Sequence, residues 1–289
     1  MVDLTALSPD QVRGLLPPWL AGTVEPALAP AIQEAVQALV QASSDAELAA
    51  ALRAMGSVGQ ACQPYPADPF GRRLSRAYMA RLVAEGSTVE GMHHLAAALQ
   101  AGPTLLLGNH RSYVDTQLTD LLLARVDPTL ADRLVTVAGP KVYADPFRRI
   151  AAVGLHTIKT AQSTTVASEE AVLSVREVAR IAGETVRQAQ ALMQGGHAVL
   201  LYPEGTRSRD GRLGPFLRGA GRYASLPGTR VLPVALQGSE AVFPIGQAQL
   251  QAGRVHLRLG EAFPADGLSR DAVLDEARGR LDALLSRGA

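Results

Sequence analysis

Cysteine is nearly missing from this 289-residue sequence: Cys62 stands alone. One thiol excludes an intrachain disulfide and a cysteine zinc cluster, and it fits a reducing compartment. Cys62 itself reads as a small buried hydrophobe rather than a nucleophile. Lysine is almost as scarce, for the 28 basic residues include only Lys141 and Lys159. Net charge is +1, so no bulk field draws nucleic acid and any anion site must be local. No uncharged apolar run reaches the roughly 18 residues of a spanning helix. The most apolar early stretch, residues 15–40, is broken by Pro17, Pro18, Pro26 and Pro30 and carries Glu25 and Glu34. The opening "MVDLTALSPDQV" has no basic region ahead of an apolar one, so no secretory signal is expected. These absences predict a cytoplasmic protein, either soluble or lying on the inner membrane surface. No G-x-S-x-G and no G-x-x-x-x-G-K occur, which removes the usual signals of a nucleophile elbow and a P-loop. The histidines show no metal spacing. Neither a metal nor a bound cofactor is expected.

What remains is an ordinary globular composition, 47% hydrophobic and 19% charged, long enough for a sizeable core. Residues 1–85 read as a helical domain. "SPDQ" from Ser8 and "SDAE" from Ser44 are capping boxes, and Ile32, Val36, Leu39 and Val40 recur at helical spacing. "QPYPADP", residues 63–69, is a proline-rich break, and no strand signal of any strength appears in this region.

Residues 86–289 change texture. Strands are expected at 104–108, 133–139, 155–159, 197–203, 229–236 and 254–260, with Pro233 suggesting an edge or a bulge. Helices are expected at about 113–125, from about Glu169 to Met193, and from 270 to 285 behind Ser269 as N-cap. Such alternation predicts an α/β domain whose central, mostly parallel or mixed sheet is flanked by helices.

Two strand ends carry suggestive loops. The first is "LLLGNHRSYVD", in which His110 and Asp115 follow a buried strand, where open α/β sheets bind ligands. The bland reading is a satisfied loop histidine beside a helix-capping aspartate. The second is "YPEGTRSRDGRLGPFLRG", residues 202–219, which sets Glu204, Arg207, Arg209, Arg212 and Arg218 among four glycines. Glycines let backbone N–H groups approach an anion, and arginine forks grip phosphate. The bland reading there is a solvated turn with Asp210-Gly211 at its tip. "GAGRYA" at Gly219 follows no strand and is a weak dinucleotide match. His93 and His94 read as structural, and His156, His197 and His256 have no paired acid in sequence.

Taken together, the two loops resemble the glycerolipid acyltransferases. "NHRSYVD" matches that family's His-x4-Asp box, and "YPEGTRSRDG" matches its second box, with Glu204, Gly205 and Thr206 at its head. "VAGPKVYADPFRRIAAVG" and "VLPVALQG" look like the blocks between and after them. The order of four blocks over residues 104–238 makes the resemblance specific. The layout is most similar to the soluble, plastid-type glycerol-3-phosphate acyltransferases, whereas "EGTRSRDG" is closer to the lysophosphatidate branch.

The resemblance implies fatty acyl transfer from acyl-CoA or acyl carrier protein to a hydroxyl of glycerol-3-phosphate, with 1-acylglycerol-3-phosphate as the alternative acceptor. Peripheral membrane contact and the absence of nucleic acid complete the expected partners. In that chemistry His110 is the general base and Asp115 holds its second ring nitrogen. Arg207 and Arg209 would hold the acceptor phosphate, with Lys159 or Lys141 as a third cation. Backbone N–H groups near Gly205 or after His110 are candidates for the oxyanion site. Ser112 is expected to cap a helix rather than to act as nucleophile. The rival readings are a catalytically silent lipid or phosphate binder and a thioesterase.

Overall fold

A computed structural model describes residues 7–161 and 173–287. Its helices are α1 (Pro9–Ala21), α2 (Ala29–Ala42), α3 (Asp45–Ser57), α4 (Pro69–Ala80), α5 (Met92–Ala101), α6 (Asp115–Val126), α7 (Pro128–Ala131), α8 (Lys141–Ala144), α9 (Pro146–Val153), α10 (Val175–Gln194), α11 (Ser239–Val242) and α12 (Arg270–Leu285). Its strands are β1 (Pro64–Tyr65), β2 (Thr88–Glu90), β3 (Thr104–Gly108), β4 (Leu134–Ala138), β5 (His156–Lys159), β6 (Ala198–Leu201), β7 (Arg230–Gln237), β8 (His256–Leu259) and β9 (Phe263–Pro264). They form one mixed sheet of order β1-β5-β4-β6-β3-β7-β8-β2, with β9 also on β7.

The five central strands, β5-β4-β6-β3-β7, run parallel; β1 pairs antiparallel with β5, β8 and β9 pair antiparallel with β7, and β2 runs parallel to β8. β3 lies in the middle and is buried at every residue. Leu106 joins the core on one face, under Leu118, Leu121 and Leu122 of α6. Leu105 and Leu107 join the other, with Ala189 and Met193 of α10 and with Tyr223 of the 3₁₀ turn Arg218–Ser225. Burial on both faces is why the strand reads as a continuous apolar run instead of an alternation.

The helices of residues 7–85 share that first core: Ile32, Val36, Leu48, Phe70 and Leu74 belong to the same cluster as Leu106 and Leu118. A bidentate ion pair adds to the join, Arg76 Nε and Nη2 of α4 meeting Asp120 of α6 at 2.8 and 2.9 Å. The proline-rich break at 63–69 contains β1, whose two residues pair with β5, so this region does hold a strand. Both capping boxes form, at Ser8 and at Ser44.

Pro233 lies in β7, flanked by β3 on one side and β8 and β9 on the other, so it is not on an edge. Its carbonyl accepts from Gly260 N–H at 2.9 Å, just past the end of β8 and before β9 begins. The missing proline N–H therefore faces the gap between two short partners, where no ladder bond is lost. α10 starts at a capping box of Ser174 and Glu177; the expected start at Glu169 lies outside the described residues. Among the described residues no helix is long and apolar enough to cross a membrane.

Candidate active site

β3 and β6 are adjacent, parallel and in register, with Leu107 opposite Leu201. Their chain connections leave in opposite directions: β3 leads through α6 to β4, and β6 leads through the 3₁₀ turn to β7. One connection covers each face, which opens a crevice beyond the carboxyl ends. Both suggestive loops open into it.

His110 is held at its ring and at both ends of its peptide. Its ring Nδ1 is 2.7 Å from Asp115 Oδ2. The same oxygen accepts from Arg111 N–H at 2.7 Å and Ser112 N–H at 2.9 Å. Asp115 is 1% exposed, and its Oδ1 has no hydrogen-bond partner. An oxygen that already takes two amide protons is an acceptor, so Nδ1 is the donor. The ring's Nε2 lone pair is then left facing the crevice, with no hydrogen-bond partner among the described residues. The backbone N–H of His110 donates to Glu204 Oε1 at 2.9 Å, and its carbonyl accepts from Ser208 N–H at 2.7 Å. Glu204 also accepts from Gly214 N–H at 2.7 Å, so one buried carboxylate ties both loops together.

Two supports escaped the sequence reading. Tyr202, at the end of β6, stacks on the imidazole at 4.3 Å with 17° between planes. Burial, and then the charge of Asp115, push its phenol well above its ordinary value of 10, so it stays neutral, bonded to Thr116 at 3.0 Å. Asn109 exchanges two 2.8 Å bonds with the backbone of Leu236 on β7, extending the ladder by one side chain. Its neighbour in the motif, Arg111, reaches Glu240 at 3.0 Å and the Gly211 carbonyl at 2.7 Å.

Ser112 is fully buried and is not the N-cap: that position is Val114, with no side-chain cap bond. The Asp115 carboxylate instead takes the Arg111 and Ser112 N–H groups just ahead of α6. Gly205 sits at φ +69, and a Cβ there would come within 2.4 Å of Leu217 Cδ1. Its N–H donates to the Tyr202 carbonyl at 3.1 Å, and the amides of Arg111 and Ser112 serve Asp115. The amides of Gly205, Arg111 and Ser112 are therefore engaged, whereas those of Thr206 and Arg207, next to Gly205, have no partner among the described residues.

Arg207 lies with its guanidinium 3.4 Å from the centre of the Tyr113 ring, and Arg148 of α9 lies 4.4 Å from the same ring. The two guanidinium carbons are thus within about 8 Å of each other, the two distances taken end to end, where like charges repel by about 2 kcal/mol at an effective dielectric of ~20. Arg209 and Thr206 are exposed on the same loop. Among the described residues neither lysine makes a hydrogen bond or ion pair with His110 or the second loop. Lys159 ends β5, three strands from β3, or about 14 Å at the usual strand spacing. Its ammonium donates to the Gly59 carbonyl. Lys141 is exposed at the start of α8, beyond β4. Among the described residues no cluster of three or more His, Cys, Asp or Glu could hold a metal.

A family model described as Acyltransferase matches residues 86–237. The chain belongs to the acyltransferase family. It is 36% identical over 99 residues to a chloroplastic 1-acyl-sn-glycerol-3-phosphate acyltransferase, BAT2, of Brassica napus, a match that covers 34% of this chain and 28% of that protein. It is 23% identical over 206 residues to the chloroplastic glycerol-3-phosphate acyltransferase of Spinacia oleracea, covering 65% of this chain and 43% of that one. The chain thus spans less than half the length of these relatives. A crystal structure of the 1-acyl-sn-glycerophosphate acyltransferase PlsC of Thermotoga maritima shares the acyltransferase's fold, with a TM-score of 0.51 at 17% identity over 96% of this chain and 99% of that one.

Proposed function

We propose that this acyltransferase moves a fatty acyl group from a thioester donor, acyl-CoA or acyl carrier protein, to a hydroxyl of glycerol-3-phosphate. The observation that carries the reading is the His110–Asp115 pair: a buried acceptor oxygen fixes the imidazole as an Nδ1–H tautomer, with Nε2 free beside an arginine-bearing loop. Nε2 takes the acceptor's hydroxyl proton as the oxygen attacks the thioester carbon. Asp115 stabilises the imidazolium that forms. The amides of Thr206 and Arg207, unengaged among the described residues, are the donors for the tetrahedral oxyanion. The C–S bond then breaks, the carbonyl re-forms, and the imidazolium returns its proton to the departing thiolate. Arg207 and Arg209 hold the acceptor phosphate. Glu204 positions His110, one of its oxygens accepting the His110 N–H and the other the Gly214 N–H.

1-Acylglycerol-3-phosphate is the alternative acceptor, supported by the higher identity to the Brassica protein of that name. Leu15 and Trp19, exposed and four residues apart on α1, support contact with a membrane surface. The test is thiol release from acyl-CoA without detergent, with each acceptor and with none. Wild type is expected to release thiol with glycerol-3-phosphate, and His110→Ala to lose about 10² to 10⁴ in rate while remaining folded. Equal release without acceptor would show a thioesterase, and wild-type turnover in His110→Ala would refute the mechanism.

A further inference from the structure

Arg148 lies outside both signature loops, yet α9 delivers its side chain to the ring that carries Arg207. Two guanidiniums share the Tyr113 ring with little to neutralise them. Arg207 has no ion pair among the described residues. Arg148 has only Asp145, at 3.5 Å, and the same Asp145 oxygen already accepts from the Arg148 backbone N–H at 2.9 Å. Arg148 Nη1 is buried with no hydrogen-bond partner. A buried donor of this kind is strongly disfavoured unless something completes it. Tyr113 is itself 37% exposed, so the pair opens to solvent. It begins three residues after His110, on the same loop.

Resting on the acyltransferase reading of this crevice, we propose that Arg148 is a phosphate-contacting residue that forms, with Arg207, a two-arginine clamp for the acceptor's phosphate monoester. Tyr113 is the positioning residue, its ring fixing the spacing of the two cations through cation–π contact. Two planar forks suit a terminal phosphate carrying close to two negative charges and three free oxygens. A phosphodiester offers one charge and two free oxygens, so the clamp selects monoester acceptors over diesters such as glycerophosphocholine.

The experiment pairs calorimetric titration of sn-glycerol 3-phosphate, without donor, with initial-rate kinetics on the full chain. Arg148→Gln is expected to weaken glycerol-3-phosphate binding and raise the acceptor KM about tenfold or more, the loss of one charge-assisted contact, with the donor KM within about twofold. Arg148→Lys should recover part of that loss, since it keeps the charge but not the fork. Tyr113→Leu should resemble Arg148→Gln. Unchanged affinity in Arg148→Gln overturns the clamp, and so do equal increases in donor and acceptor KM. If wild type binds glycerol-3-phosphate through Arg148 but transfers no acyl group, the clamp stands and the acyltransferase reading falls. If wild type transfers and Arg148→Gln transfers equally well, the reverse holds.

Discussion

Asp115→Asn separates the charge of the carboxylate from its geometry. One oxygen of Asp115 receives three N–H groups, two of them from backbone that cannot change direction. The asparagine oxygen must therefore occupy that position, and its NH₂ must take the place of Oδ1. His110 keeps its Nδ1–H tautomer, and what disappears is the negative charge beside the imidazolium of the transition state. At 2.7 Å the gross attraction is about 6 kcal/mol at an effective dielectric of ~20. The difference between a charge-assisted and a neutral hydrogen bond is smaller, about 1–3 kcal/mol. That predicts a fall in kcat of roughly 10- to 100-fold, with both KM values little changed. The NH₂ meets a buried position with no partner, which costs about 1–3 kcal/mol of stability and a few degrees in Tm. Stopped assays of thiol release at saturating substrates read the first effect, and calorimetry the second. Wild-type kcat would refute the electrostatic role. A fall beyond about 10⁴ in a folded protein would show that the amide had flipped and reversed the tautomer, refuting the claim that the backbone fixes the oxygen.

Three further outcomes are expected. Glu204→Gln leaves one of two amide N–H groups without an acceptor, so it should lower stability by about 1–3 kcal/mol and reduce kcat through misplaced His110; unchanged melting and turnover would sink this. Burial, then His197 and Arg72, hold His156 at about 4, below its ordinary 6.5, so the folded chain resists a proton that the unfolded chain accepts. The contribution is intact above pH 6.5 and lost as pH falls from 6.5 towards 4, on the order of 2 kcal/mol after discounting for partial exposure; urea unfolding of His156→Gln should show a flatter acid limb than wild type. A chain beginning at residue 86 removes Phe70, Leu74 and Met79 from the core under β3 and strips Arg76 from buried Asp120, a loss of about 3–5 kcal/mol for the ion pair alone. It should not fold independently, as size-exclusion chromatography and circular dichroism would report.

The long buried strands were legible because burial on both faces writes an unbroken apolar run. β2 and β9 were not. Thr88–Glu90 is exposed at both ends and Phe263–Pro264 has only two residues, so neither carries a period; each exists because a neighbouring strand supplies a partner. Pro233 misled for a related reason. A proline N lacks a donor whatever its surroundings, but only the sheet shows that the donor's place faces a gap between β8 and β9. Ser112 fits the residue preference of an N-cap, and Asp115, three residues on, takes the amides instead.

The site was legible where residues close in sequence do the work. His110 and Asp115 are five apart, and the turn before α6 brings them together. Everything that holds His110 from outside its loop comes from farther away. Glu204 is 94 residues distant, and the partner of Asn109 on β7 is 127 distant. No spacing rule connects such positions. What connects them is strand order: β6 and β7 flank β3, so the loop after β6 and the carboxyl half of β7 reach the His110 turn from opposite sides. This explains the acid in the second motif. An isolated glutamate in an arginine-rich loop reads as a charge partner or a proton carrier. Here both oxygens are taken by amides, one from each loop, so the carboxylate joins two turns that have no ladder between them. The second loop returns the constraint through Ser208, whose N–H donates to the His110 carbonyl. With its peptide held at both ends and its ring held by Asp115, His110 has little freedom left, and that is what a base needs to meet a hydroxyl at fixed distance. The two motifs are therefore one site, and loss of the Glu204 carboxylate should appear first as misplaced imidazole rather than as lost charge.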